Sequence, residues 1–379
     1  MKIHSAHYQR LTIDKQQFLR NIELLKQTAT QPLHLVVKGN AYGHDLLTAS
    51  SLFVEAGIER LITYHLSDAL MLRKKYPDLS LLLIGPIELG DIAVCRAQNI
   101  EITVWDLPFL TTIRKVVQTQ SSEWPSLRIH IEIETGMYRT GIVPADIFSL
   151  ENEVFESVHY EIAGFCTHLS GADEPENIGR VQEQIEIFSS FRNEMMRRIQ
   201  REFEWHGPNS AALALDTTQV FTHCRVGLLA YGFFPSSYAR KLWSPTAEVP
   251  KPSLKWYSNV AGKHRIPADK FTGYGKTHKT VSPTTTLMVP TGYGDGFPRS
   301  LSNRWEVEIQ SQYFRIIGRV NMNQIVIKVR EDLKLDDDQE VCLIDREGAN
   351  DWYAAARLSD RFIYELLSNI STKIPRIVS

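Results

Sequence analysis

Lys38 closes a short apolar run, Leu35-Val36-Val37, and opens the segment Gly39-Asn40-Ala41-Tyr42-Gly43-His44. Comparable runs later in the chain deliver Arg139 after Thr135-Gly136-Met137-Tyr138, His168 after Thr167, Asn209-Ser210 after Gly207-Pro208, and Arg225 two residues before Gly227. A lysine amine condenses with carbonyl cofactors to form a Schiff base. Hydroxyls and backbone amides, which Tyr42, Ser210 and Gly227 can supply, suit a phosphate. An arginine facing a pyridine nitrogen stays protonated, so it can only donate and leaves that nitrogen largely unprotonated. Singly, each residue has a plainer reading: a lysine returning to solvent, a core histidine, an Asn-Ser helix cap, an arginine paired with a carboxylate. Jointly they suit a phosphate-bearing carbonyl cofactor.

The elements that must position these residues can be read from the alternation of apolar runs with amphipathic stretches. Candidate strands are His34–Lys38, Arg60–Tyr64, Ser80–Ile84, Glu101–Trp105, Leu127–Glu134, Ile162–His168, Phe203–His206 and Thr222–Val226. Between them lie helical patterns such as Ser67–Tyr76, Pro108–Gln118 and Asn177–Arg201. Strands alternating with helices indicate βαβ units, and eight of them fit a closed (β/α)8 TIM-type barrel. Such barrels build their sites at the C-terminal strand ends, where the residues above all fall. A helix over Asp14–Gln27 precedes the first strand, with Asp14 as cap and Gln17 completing a capping-box-like pair.

The pattern changes near residue 236. Leu254–Ile266, Thr285–Tyr293, Trp305–Val320, Gln324–Val329 and Glu340–Asp345 are strand-like and turn-separated, without long helices. The expected organisation is a cofactor-binding barrel over 1–236 and a mostly-β domain over 237–379. Pro235–Lys251 is the linker zone, and the early N-terminal residues are a candidate to pack with the second domain.

Composition narrows the function. A 379-residue chain with 43% hydrophobic and 23% charged residues is an ordinary globular protein. A formal charge of −2 offers no footprint for nucleic acid or an anionic membrane. Apolar runs such as Leu81–Ile87 are too short to span a bilayer, and residues 1–11 do not read as a signal peptide. The four cysteines, Cys95, Cys166, Cys224 and Cys342, are scattered without metal or redox spacing. They read as reduced thiols, which places the protein in the cytoplasm and predicts no metal.

The segment Val36-Val37-Lys38-Gly39-Asn40-Ala41-Tyr42-Gly43-His44 closely resembles the cofactor-lysine signature of alanine racemases, fold-type III pyridoxal phosphate enzymes. The likeness continues through Glu134–Gly141, Thr167–Asp173, Asn209-Ser210-Ala211, Arg225-Val226-Gly227 and Gly273-Tyr274-Gly275. It then passes through Gly292–Gly296 and Gly318–Met322 to Ile374-Pro375-Arg376-Ile377. The resemblance implies a head-to-tail homodimer with shared sites, interconverting L- and D-alanine and supplying D-alanine for peptidoglycan. Lys38 and Tyr274 of the partner subunit would be bases on opposite faces of the cofactor. It further implies that His168 and Arg225 tune that tyrosine, and that Tyr42, Asn209, Ser210, Gly227, Leu228 and Thr372 help hold the cofactor. Arg139 and the Met322 backbone would meet the substrate carboxylate, and Tyr293, Asp173, Arg299 and Arg319 would line the entry corridor.

The chain departs from the family pattern at three places. Glu132 stands where many members carry a carbamylated lysine, and is expected to supply that anion directly and fix Arg139. Thr372 replaces a phosphate-bonding tyrosine, and Asn321 and Asn323 replace the more usual cysteine and aspartate beside Met322. These changes keep serine open as a second substrate. A decarboxylase of the same fold and a non-catalytic cofactor-binding protein are the other readings. Tyr274 argues against the first, and residues 237–379, which single-domain relatives lack, against the second.

Overall fold

The computed structural model describes residues 8–121, 123–150, 155, 157, 159–215, 219–243 and 248–379. The chain divides into two compact units. One comprises Leu19–Lys38 and Ala49–Pro250; the other combines the segment ending at Phe18 with Gly39–Thr48 and Lys251–Ser379.

After an initial strand, β1 (Arg10–Ile13), the first unit supplies eight parallel strands. They are β2 (Leu33–Val36), β3 (Arg60–Thr63), β4 (Ser80–Leu83), β5 (Glu101–Val104), β6 (Leu127–Glu132), β7 (Tyr160–Cys166), β8 (Glu204–His206) and β9 (Cys224–Val226). Each lies within a few residues of its expected position. The sheet order is β8-β7-β6-β5-β4-β3-β2-β9, and a single bridge, His206 to His223, joins its two edges into a barrel. Outward-facing Leu127, Ile129 and Ile131 of β6 are fully buried, as a strand beneath a helix layer requires. The expected helices are present as Leu66–Lys75, Leu107–Gln118 and Ile178–Arg198. Asp106 caps the second by accepting from Phe109 N at 2.6 Å.

The barrel interior is polar, where most such barrels are filled by branched apolar layers. Arg60 on β3 donates to Glu204 on β8 and, at 3.0 Å, to Glu101 on β5. Neither pair of strands is adjacent, so both bonds cross the interior. His130 Nε2 meets Glu101 at 2.6 Å, and His130 Nδ1 meets His206 Nε2 at 2.9 Å. The alternation of Arg128, His130 and Glu132 along β6 therefore marks an inward charged face.

The second unit is mostly β. Its larger sheet runs β14-β13-β16-β10-β1-β17, using β10 (Leu254–Asn259), β13 (Glu306–Ile309), β14 (Gln312–Arg315), β16 (Glu340–Ile344) and β17 (Arg376–Val378). The smaller runs β11-β12-β15, formed by β11 (Gly262–Ile266), β12 (Thr284–Val289) and β15 (Ile325–Val329). Three expected strands are corrected. Leu254–Ile266 breaks into β10 and β11, which join different sheets. Trp305–Val320 folds into the hairpin β13–β14, turning at Gln310 and Ser311, both with positive φ (50° and 59°). Thr285–Tyr293 stops at Val289, before Pro290, which has no N–H for a ladder. Helices Trp352–Ser359 and Ile363–Ser368 were not expected. Strand β1 pairs with β10 and β17, and the following helix, Lys15–Thr28, is capped as expected, Gln17 N donating to Asp14 Oδ1 at 2.9 Å.

Candidate active site

In the barrel unit the C-terminal strand ends bring Lys38, Arg139, His168 and Arg225 into one electrostatic group. Solvent reaches Lys38 at the barrel mouth, yet the surrounding protein crowds its amine. Poor solvation, then the cations of Arg139 and Arg225, pull its pKa below the usual lysine value. His168 is held down to about 3 by poor solvation and then by Arg225, Arg139 and Lys38. Its ring is therefore neutral at physiological pH. Arg225 is fixed by a 2.6 Å bond from Nη2 to Thr167 O.

Ser210 is held at the ends of β8 and β9. The buried Ser210 Oγ accepts from Gly227 N and Leu229 N, both at 3.2 Å. A 3-10 turn begins at Leu228, next to Gly227. Asn209 is a positioning group. Its Oδ1 accepts from Ala211 N at 3.0 Å and Ala212 N at 3.1 Å, while Nδ2 donates to Leu169 O at 2.8 Å.

Glu132 does not hold Arg139. Its carboxylate accepts from Thr140 Oγ1 at 3.0 Å, and the Arg139 side chain is exposed. The chain leaves β6 through Gly136 and Tyr138, both with positive φ, and returns past Arg139 where Ile142 N donates to Glu132 O at 2.8 Å.

One residue that sequence reasoning passed over ties these loops together. Gln184, buried on helix Ile178–Arg198, donates from Nε2 to His168 O at 3.0 Å and Thr135 Oγ1 at 3.2 Å. Its Oε1 accepts from Ser170 N at 2.9 Å. The available signal is its place in the buried stripe Val181, Gln184, Phe188, Phe191, Met195, where an amide interrupts an apolar face. Asp173 sits further along the same loop, its carbonyl accepting from Ser236 Oγ at 2.5 Å.

The remaining residues belong to the second unit. Residues Gly39 to Tyr42 form a left-handed turn, with φ of 62°, 52°, 54° and 48°. Such a conformation costs non-glycine residues about 1–2 kcal/mol each. It is held by Asp45 N to Asn40 O at 3.1 Å, Leu46 N to Asn40 Oδ1 at 2.9 Å, and Arg376 Nε to Gly43 O at 2.9 Å. The turn buries Tyr42, whose ring packs 6.1 Å from that of Tyr364. Strain concentrated beside a reactive lysine is expected of a functional site.

Tyr274 is 76% exposed between Gly273 and Gly275, both with positive φ. A Cβ on Gly275 would stand 2.9 Å from Arg319 Nε, so the glycine lets the arginine approach. Met322 is also exposed; Gly294 N takes its carbonyl at 2.8 Å, and Tyr293 N bonds Asn321 O at 3.0 Å. Arg299, Tyr293 and Thr372 are exposed.

A family model described as alanine racemase, N-terminal domain, matches residues 13–235, and one described as alanine racemase, C-terminal domain, matches residues 253–378. The chain is 30% identical over 362 residues to an alanine racemase of Symbiobacterium thermophilum, covering 94% of this chain and 93% of the relative. It is 31% identical over 353 residues to one of Clostridium perfringens, covering 90% and 87%. The structure of alanine racemase from E. faecalis superposes with a TM-score of 0.88 at 25% identity, covering 100% of both chains. That from D-cycloserine-producing Streptomyces lavendulae gives 0.88 at 26%, covering 99% and 98%. The chain belongs to the alanine racemase family.

Proposed function

We propose that this chain is a pyridoxal-phosphate-dependent alanine racemase that interconverts L- and D-alanine as a homodimer with shared sites. The observation that carries the proposal is the amine of Lys38, its pKa lowered by poor solvation and then by Arg139 and Arg225, in the same barrel mouth as the Ser210 hydroxyl. These residues fit the cofactor: the Ser210 hydroxyl, held by two amides, suits its phosphate, a depressed lysine its carbonyl, and Arg225 its ring nitrogen. Tyr42 and Thr372 complete the set the family uses. When bound, pyridoxal phosphate supplies an electron sink for the charge left by the α-proton.

The chain's own residues do the rest. Lys38, with its ammonium form disfavoured, takes or returns the α-proton on one face. One base returning the proton to the same face would preserve the configuration, so inversion needs a second base. Tyr274 of the partner subunit fills that role, with His168 and Arg225 as the residues the family sets against its hydroxyl. Arg139 and the Met322 amide orient the substrate carboxylate. Tyr293, Asp173, Arg299 and Arg319 line the approach.

The role this reading gives the chain is supply of D-alanine for peptidoglycan in the cytoplasm; among the described residues no helix is long and apolar enough to cross a membrane. The test is incubation of the pure protein with each L-amino acid, followed by chiral chromatography. D-alanine should form fastest. Faster formation of D-serine would replace the substrate, and no D-amino acid at all would end the proposal.

A further inference from the structure

The opposite, N-terminal end of the barrel carries a cluster that racemisation does not use. His34 of β2, Glu204 of β8 and His223 beside β9 each offer a ligand atom, all within 4.8 Å of one another. The His34 and His223 rings stack with centroids 4.5 Å apart.

His34 is 5% exposed, and among the described residues neither ring nitrogen makes a hydrogen bond; Nδ1 is fully enclosed. A buried imidazole without partners is costly, so an unpaired one calls for a ligand. His223 is pre-oriented. Thr222 Oγ1 accepts from Trp205 N at 2.8 Å and stands 2.8 Å from His223 Nδ1; with its own proton on Trp205 O, 3.2 Å away, it takes that ring's proton. This leaves His223 Nε2 with a free lone pair, the arrangement outer-shell partners give to metal-binding histidines. Burial, followed for His34 by the Arg60 charge, pushes both rings toward the neutral form that binds metals. Glu204 and His223 are only partly buried, which leaves an entry path.

We propose that His34, His223 and Glu204 form a site for a divalent transition ion of the zinc class, bridging the seam of the barrel. Two imidazoles and a carboxylate are a ligand set zinc accepts, with water completing the shell. The location gives the ion a purpose. Strands β8 and β9 share one ladder bridge, His206–His223, flanked by a few backbone bonds such as His223 N to Trp205 O at 3.1 Å and Arg225 N to Pro208 O at 2.7 Å, and an ion on Glu204 and His223 adds a further cross-link while His34 adds β2. The surrounding charges are mixed: Arg60, Arg128 and Arg225 against Glu101, Glu161 and Glu204. Arg60 bonds both Glu204 oxygens and also Glu101, so one Glu204 oxygen can turn to the ion while Arg60 stays paired.

The test uses untagged, EDTA-dialysed protein titrated with ZnCl2, read by equilibrium dialysis with elemental analysis and by thermal denaturation. One Zn2+ should bind per chain and raise Tm. His223→Gln, at a partly exposed position, should weaken binding by about 10–100-fold without unfolding the chain, the loss typical even of an outer-shell partner. His34→Gln should do the same, and CoCl2 should give visible d–d bands that both variants lose. Absence of saturable binding, or binding unchanged in both variants, overturns the site. Binding without a rise in Tm overturns the cross-link.

Discussion

Replacing Gln184 by leucine tests whether this side chain positions the His168 loop. The substitution nearly conserves volume and keeps the apolar stripe of the helix, so packing loss is small. It removes the donors to His168 O and Thr135 Oγ1 and the acceptor for Ser170 N. Thr135 Oγ1 keeps its 2.6 Å contact with Thr167 Oγ1, so two backbone groups are orphaned. At roughly 1–3 kcal/mol for each buried unpaired group, discounted for partial exposure, the cost is about 2–4 kcal/mol. Urea denaturation reads this directly. Because His168 is displaced, kcat for L-alanine should fall by more than KM rises, the pattern of an interaction that matters in the transition state. Gln184→Glu keeps the acceptor for Ser170 but sets a carboxylate against His168 O, and should rescue only part of the stability. A Gln184→Leu protein within about 0.5 kcal/mol of wild type, with unchanged kcat and KM, would refute the reasoning.

Three further outcomes follow from the geometry. Gly43→Ala forces a Cβ to 2.4 Å from Leu367 O at a φ of +79°, and should cost about 2 kcal/mol or more. Gly90→Ala, with nothing within 4 Å, should leave Tm unchanged or raised, and equal behaviour of the two would contradict the strain reading. Stability should fall on acidification from pH 6.5 towards 4. His168 and His44 have folded pKa values depressed to about 3 and 4, so the unfolded chain gains protons there that the folded chain does not. Each contributes up to ~1.4 kcal/mol per pH unit in that window, so urea midpoints flat over the range would contradict it. Mixing Lys38→Ala with Tyr274→Phe protein under conditions of subunit exchange should restore about a quarter of wild-type activity, since each hybrid dimer regains one intact site. No recovery, with exchange verified, would place both bases on one chain.

The barrel was legible because each strand is an apolar run of the right length beside a helix, a signal contained within one segment. The second unit was less so. Pairing of Leu11 with Trp256 is non-local, and no short window announces it. The hairpin turn at Gln310-Ser311 lacks the Asn-Gly or Asp-Gly that marks such turns. That Lys38, His168, Ser210 and Arg225 share the C-terminal end of the barrel could be read from where the apolar runs stop. That Leu229 N donates to Ser210 Oγ depends on the phase of one 3-10 turn, which composition does not encode. That Glu132 accepts from Thr140 is likewise a matter of loop conformation, where Gly136 and Tyr138 take positive φ. Gln184 and His34 were visible only as polar residues in apolar patterns, and only the fold shows what each one faces.

The central claim, that Lys38 and an opposing tyrosine invert the α-carbon of alanine, is tested by racemisation in D2O. With L-alanine, the wild-type protein should approach equal amounts of the two enantiomers, with deuterium at the α-carbon of the D-alanine formed. Lys38→Ala should abolish both. Failure of the wild type to form D-alanine, or undiminished racemisation by Lys38→Ala, would contradict the account.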